Sequence, residues 1–312
     1  MYDALVSADI VTARPDEEAR VLIDLFGLPE PRPQAYLEPE GHGFRAVWLR
    51  IRPSLKHAPT RIELIGHRPR AEAHDYVEER VLAQGDRPVR THATVLAGDV
   101  EAVLDRLRRG RVRHRVTPPS EDFDFPRVWV GVTDDDPFGY DPGTDAGLWT
   151  EVVPTAHSGV PVRPAEEEAP AGLLDRVVAR RFLVVDAEAS ARTLESNLGL
   201  VATSVTRGRD SVVATYEMAM SRSASLELVQ PLDADSDLGR YAGQWGPGPH
   251  AIVLGSGDLA GVEADLASRG AGVARVSRGP GDERLLVAAK ATGGVPFEVV
   301  AVSGRTGPGR SS

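Results

Sequence analysis

Residues 248–270, GPHAIVLGSGDLAGVEADLASRG, suit two different chemistries. An apolar run, a glycine-rich turn and an amphipathic helix, in that order, open many dinucleotide-binding units, where glycines let backbone amides approach a phosphate. The same residues put His250 at the head of a strand, where an imidazole is placed to hold a metal ion. The phosphate reading fails on spacing. Gly255 and Gly257 supply G-x-G without the third glycine where it is required, and the next strand, AGVARVSR, ends without the acidic residue that a ribose needs. A nicotinamide-dependent reductase is therefore disfavoured. Two other groups of residues carry chemistry. His42, in EPEGHGFRAVW, has the position of a general base at a cavity mouth. Trp48, Trp129, Trp149 and Trp245 offer flat faces on which a ring-containing ligand stacks, Trp245 most of all because it lies in the Gly/Pro-rich GQWGPGPH just before His250.

The elements that position these residues repeat. Residues 92–110, HATVLAGDVEAVLDRLRRG, follow the pattern of 250–270: a histidine, a short β-type stretch, Gly-Asp, an amphipathic helix and a closing glycine. DIVTARPDEEARVLIDLFGL (9–28) matches FLVVDAEASARTLESNLGL (182–200), each a strand, a turn, a helix and Gly-Leu. TRIELIGHRP (60–69) pairs with ASLELVQP (224–231), and AGLWTEVVP (146–154) with GGVPFEVVA (293–301). FRAVWLRIRP (44–53), RVWVGV (127–132), SVVATYEM (211–218) and RLLVAA (284–289) read as the remaining strands, from their alternation and β-branched content. The result is an α+β chain of four βαβββ modules. The expected division is a first domain over 1–155, a Pro/Ala/Glu-rich linker over 156–172, a second domain over 173–303 and a disordered tail over 304–312.

Composition narrows the function classes. The net charge is −10, which argues against a general nucleic-acid binder, and RLRRGRVRHR (106–115) reads as the cationic end of a helix. No apolar run is long enough to span a bilayer, and the first residues lack the basic and apolar regions of a signal peptide. There is no cysteine, so disulfide and thiolate chemistry are excluded and a cytoplasmic location is expected. A small-molecule partner is expected, with no nucleic acid and no membrane, in a monomer or homodimer.

The ordered repeat resembles the vicinal oxygen chelate superfamily, the fold of glyoxalases, bleomycin-resistance proteins and extradiol dioxygenases. The resemblance covers roughly residues 5–155 and 173–303. It rests on VLIDLFGL and TLESNLGL, on HATVLAGDVEA and HAIVLGSGDLAG, and on IEL, LEL, WTEVV and PFEVV at the module ends. It implies two tandem glyoxalase-like domains with curved, half-open sheets around a cavity. It also implies a divalent ion (Fe, Mn, Zn or Ni) in metal-dependent members, acting as a Lewis acid on vicinal oxygens. Carried over residue by residue, it implies Glu63, His92 and Glu151 as ligands in the first domain, and Glu227, His250 and Glu298 as weaker positions in the second. The first-strand position falls on Ser7 and Ala179, neither a good ligand. Asp9, two residues on and on the same strand face, is the candidate fourth ligand of the first domain; its counterpart Arg181 carries a charge that opposes a metal. Eight histidines occur, of which only His250 follows the linker, so the first domain is expected to be the working half.

Two functions follow from the resemblance. One is a metal-assisted isomerase, lyase or dioxygenase acting on a small oxygen-rich or aromatic metabolite, with Glu151 and His42 as catalytic groups. The other is a metal-free protein that binds or sequesters a small molecule, stacking it on Trp48, Trp129 and Trp245, as resistance members of the superfamily do. No organic cofactor is expected.

Overall fold

The computed structural model describes residues 2–39, 43–52, 58–67, 80, 82–121, 123–136, 139–158, 172–277 and 282–302. His42, most of the expected linker and the whole expected tail lie outside these residues.

Two sheets of the first half are joined through one kinked strand. β1 (Tyr2–Leu5) and β2 (Ser7–Val11) flank Val6, whose amide bonds Val95 on one side and whose carbonyl accepts from Arg61 on the other, at 2.9 and 3.2 Å. On the β2 side lie β5 (Arg61–His67), β4 (Phe44–Leu49) and β3 (Tyr36–Leu37); on the β1 side lie β6 (Thr94–Gly98), β9 (Thr150–Pro154), β8 (Arg127–Val130) and β7 (His114–Thr117). The second half has the same order in one unbroken sheet: β11 (Ser204–Arg207), β12 (Ser211–Tyr216), β13 (Ser225–Pro231), β10 (Leu174–Leu183), β14 (Gly248–Ser256), β17 (Phe297–Ala301), β16 (Glu283–Val287), β15 (Val273–Ser277). In each half the module-opening strand runs parallel to its module-closing strand and the other pairs are antiparallel.

Each module carries one helix after its first strand: α1 (Pro15–Phe26), α2 (Val100–Gly110), α3 (Ala187–Leu198) and α5 (Leu259–Ser268). The third module adds α4 (Asp237–Trp245) between β13 and β14, an element that the four-module pattern does not contain. The local signals explain the helix ends. Gly27 and Gly199 close α1 and α3 in the left-handed conformation, with φ of 61° and 66°. The next residues, Leu28 and Leu200, donate back to Ile23 and Leu194 and bury their side chains, the hydrophobic form of this stop signal. Asp99 and Asp258 are N-caps, accepting from the amides of Ala102 and Gly261. The Gly-Asp of the repeat is therefore helix-starting chemistry, and the Asp258 carboxylate occupies the place a phosphate would take. Gly255 is small for packing: a Cβ there would lie 2.8 Å from Val178 and Val302.

Strands are shorter than the apolar runs suggest. RVWVGV stops at Val130, because Gly131 turns the chain with φ of 85°. One core joins both halves. It gathers the inward stripe of α1 (Ala19, Leu22, Ile23, Phe26), the helix-facing side of the first sheet (Leu64, Leu96, Val128, Val152) and the matching residues of the second half. Phe26 meets Phe297 at 5.1 Å between ring centroids, and the Tyr2 hydroxyl donates to the Leu198 carbonyl at 2.9 Å. No described helix is long and apolar enough to cross a membrane.

Candidate active-site cavity

Strand alternation builds the site. In the first half one face of the strands lines a cavity of about 420 Å³, presenting odd-numbered residues from β2, β5, β6, β7, β8 and β9 and the even-numbered Phe44 and Trp48 from β4. Register places Trp48 and Asp9 beside Glu63, Val95 and Trp129 beside Glu151, and Arg115 beside Trp129. The alternate residues, such as Val47 and Leu49 of β4 and Ile62 and Leu64 of β5, enter the core, which is why the same strands read as apolar.

Glu63 and Glu151 stand on opposite walls, and both are buried. Glu63 is held at both oxygens, accepting from the Ser7 hydroxyl at 2.8 Å and from the Trp48 indole at 3.0 Å. Glu151 lies 3.8 Å from the Arg127 guanidinium. Burial outweighs the pull of Arg127 and Arg80 and raises the Glu151 carboxyl to about 7. His92 also faces the cavity, with its ring 5.9 Å from Trp129 in an edge arrangement. Burial, with Arg80 and Arg127 nearby, holds its pKa well below the ordinary histidine value, so the ring is neutral. Its Nδ1 has no hydrogen-bond partner among the described residues. Phe44, Phe123 and Phe125 complete an aromatic lining, and the Trp129 indole donates to Thr117 at 3.0 Å.

Asp9 departs from the expected role. It shares the strand face of Glu63, but the 91–93 segment covers it: the Thr91 hydroxyl and the amides of His92 and Ala93 all donate to its carboxylate. Burial raises it to about 6 against the attraction of Arg180. Asp9 thus fixes the segment that carries His92, a positioning task, and Ser7 lines the cavity at the first-strand position instead.

The second half shows what became of its ligand positions. Arg181 lies between Glu227 and Glu298, at 2.5 Å from each, and Arg284 holds the other Glu298 oxygen at 3.0 Å. These cations draw Glu298 down to about 2. His250 packs edge-on against Tyr241 at 4.7 Å, and burial lowers its pKa to about 4. A guanidinium thus occupies the space between these carboxylates.

The donors of the first half are already committed to partners other than a divalent ion. Asp9 is capped by three donors, Glu63 by two, and Glu151 faces an arginine; among the described residues no three His, Asp and Glu side chains are grouped to hold a metal. The set does not fit one. The tryptophans divide: Trp48 and Trp129 line the cavity, whereas Trp245 lines a separate cleft between the halves with Trp149 and Tyr140.

Arg127, Arg115 and Thr117 were not among the expected site residues. The signal was present: Arg127 is two residues from Trp129 and so shares its strand face. The aromatic pair in EDFDF had no periodic strand or helix pattern to place it, because it sits in a loop.

Strand order, module pairing and cavity placement define the vicinal oxygen chelate fold, and the chain is a tandem two-domain protein of that fold. A variant of 4-hydroxymandelate synthase from Streptomyces coelicolor aligns over 99% of this chain and 95% of its own, at 15% identity and a TM-score of 0.63. Methylmalonyl-CoA epimerase from Mycobacterium tuberculosis aligns over 44% of this chain and 94% of its own, at 20% identity and a TM-score of 0.40. No family model and no curated protein sequence matches the chain.

Proposed function

We propose that the first domain is an isomerase-type enzyme that moves a proton on a small aromatic carbonyl acid, using Glu151 as the base and no resident metal. The observation that carries this reading is the Glu151 carboxyl, raised to about 7 in an aromatic cavity beside Arg127. A general base works best when its pKa is close to the working pH. Glu151 would take a proton from the carbon next to a carbonyl. Charge then develops on the carbonyl oxygen, and the Arg127 guanidinium in this aromatic-lined site stabilises it. Return of the proton gives exchange or an isomer. Neutral His92 neither competes for the substrate anion nor repels Arg127. Glu63, fixed by Ser7 and Trp48, holds the opposite wall and the indole face against which a ring stacks. A dioxygenase-type reaction needs a redox-active ion, for which this donor set is poorly suited.

The aromatic lining also favours a second reading, sequestration of a ring-bearing ligand without turnover. Phenylpyruvate in D₂O separates the two. Enzyme-dependent loss of its C3–H signal in proton NMR, abolished in Glu151→Gln and reduced in Arg127→Gln, is expected for the base. Calorimetric binding without exchange would favour sequestration. Elemental analysis of the native protein that returned a stoichiometric transition metal would overturn the metal-free mechanism.

A further inference from the structure

Behind the cavity wall lies a second opening of different chemistry. Trp48 and Arg61 line the aromatic cavity on one side and, on the other, a cleft of about 460 Å³ completed by Arg32, Gln34, Arg50 and Glu30 with neighbouring prolines. Three guanidinium groups meet there in a chain whose net charge is −10. The carboxylate at the cleft edge, Glu30, is held at both oxygens by Arg20, at 2.5 and 3.1 Å.

Arg61 is the anchor. It is 4% exposed, stacks 3.7 Å from the Trp48 ring centroid and donates one NH2 proton to the Ser158 carbonyl at 2.8 Å. Its Nε finds no partner among the described residues. Glu63 attracts it from the cavity side, but the Glu63 oxygens are already held by Ser7 and Trp48. Burial lowers the Arg61 pKa to about 10, and Arg50 repels it; Arg50 is lowered in turn by burial and by Arg32. A desolvated cation among like charges costs stability unless an anion joins it. A built cluster of this kind is a recognition site in waiting.

We propose that the cleft formed by Arg32, Arg50 and Arg61 binds the phosphate or pyrophosphate group of a ligand. Guanidinium forks match phosphate oxygens two at a time, and several of them around one concavity suit a multiply charged anion better than a single carboxylate. The Gln34 amide adds a neutral donor at the same wall. Because Trp48 also donates to Glu63, the partition between cleft and cavity is one hydrogen-bonded unit.

Inorganic pyrophosphate is the probe, titrated calorimetrically at constant ionic strength. Wild type is expected to bind one equivalent saturably, while chloride at the same ionic strength gives no saturable heat. Arg50→Gln and Arg32→Gln should each weaken binding at least tenfold, with folding checked by circular dichroism. Arg32 is exposed, so its variant carries the test if Arg50→Gln does not fold. Absence of saturable binding by wild type, or wild-type affinity in both arginine variants, would overturn the proposal. Glu151→Gln should bind pyrophosphate as wild type does. Loss of binding there would put the anion in the aromatic cavity and refute the cleft assignment. The cleft proposal is independent of the proton-transfer reading, since it is scored without turnover.

Discussion

Glu151→Gln should remove a specific pH-dependent component of stability. In the folded chain the carboxyl is raised from 4.5 to about 7, so the folded state holds the proton more tightly than the unfolded state. A group raised in this way contributes stability that is complete below 4.5 and is lost as pH climbs through about 7. At ~1.4 kcal/mol for each tenfold change in proton affinity, the full loss is about 3 kcal/mol. Glutamine keeps the shape of the protonated acid and cannot ionise. The variant should therefore match wild type at pH 4 and below and be more stable than wild type near pH 8, by up to about 3 kcal/mol. Urea unfolding of both proteins at pH 4, 5, 6, 7 and 8 reads the difference directly. Asp9, raised to about 6, gives a slope of the same sign in both proteins and cancels on subtraction. A difference that does not change with pH, or a wild type that gains on the variant as pH rises, would refute the burial argument and with it the base.

Arg181→Met should leave the half-buried Glu227 without its cation and Glu298 with Arg284 alone, at a cost of about 3 kcal/mol near pH 7. Glu298 now sits at about 2, so its ion pair contributes above 4.5 and fades as pH falls through about 2. The variant's deficit should accordingly shrink at pH 4, where the carboxyls that have lost Arg181 take up protons more readily, and an equal deficit at both pH values in urea unfolding would contradict the assignment. Gly248→Ala should cost about 1–3 kcal/mol through its backbone conformation alone. Its φ is 136°, and a Cβ would lie 2.0 Å from the Arg87 guanidinium that bonds the Pro247 carbonyl; an unfolding curve that matches wild type would remove that reasoning.

Much of the fold was legible because the repeat carries its own punctuation. Gly27-Leu28 and Gly199-Leu200 announce helix stops, and Asp99 and Asp258 announce helix starts, each by a local physical requirement. Glu63 and Glu151 were singled out by the family resemblance, and only the folded chain sets both on one cavity. Other features depended on contacts far apart in the chain. Asp9 obeys the strand period, but the segment that covers it comes 82 positions later, at Thr91. Helix α4 is an insertion after the third module, and the module pattern has no place for it. The arginines of the cavity and cleft were hard to single out in a chain with so many of them, because only burial distinguishes Arg61 and Arg127 from their solvated fellows. Trp245 looked ligand-facing from its Gly/Pro surroundings; it does face a cleft, though not the one that contains the carboxylates.

Arg181 has a consequence for how the two halves answer their surroundings. A guanidinium fixed to the backbone is a counter-ion that no chelator extracts, no competing ion exchanges and no ordinary pH neutralises. The charge of the second half is settled when the chain is made. The first half keeps a carboxyl near neutrality, so its charge follows the medium. One copy of the fold acts as a fixed reference, and the other acts as the part that responds.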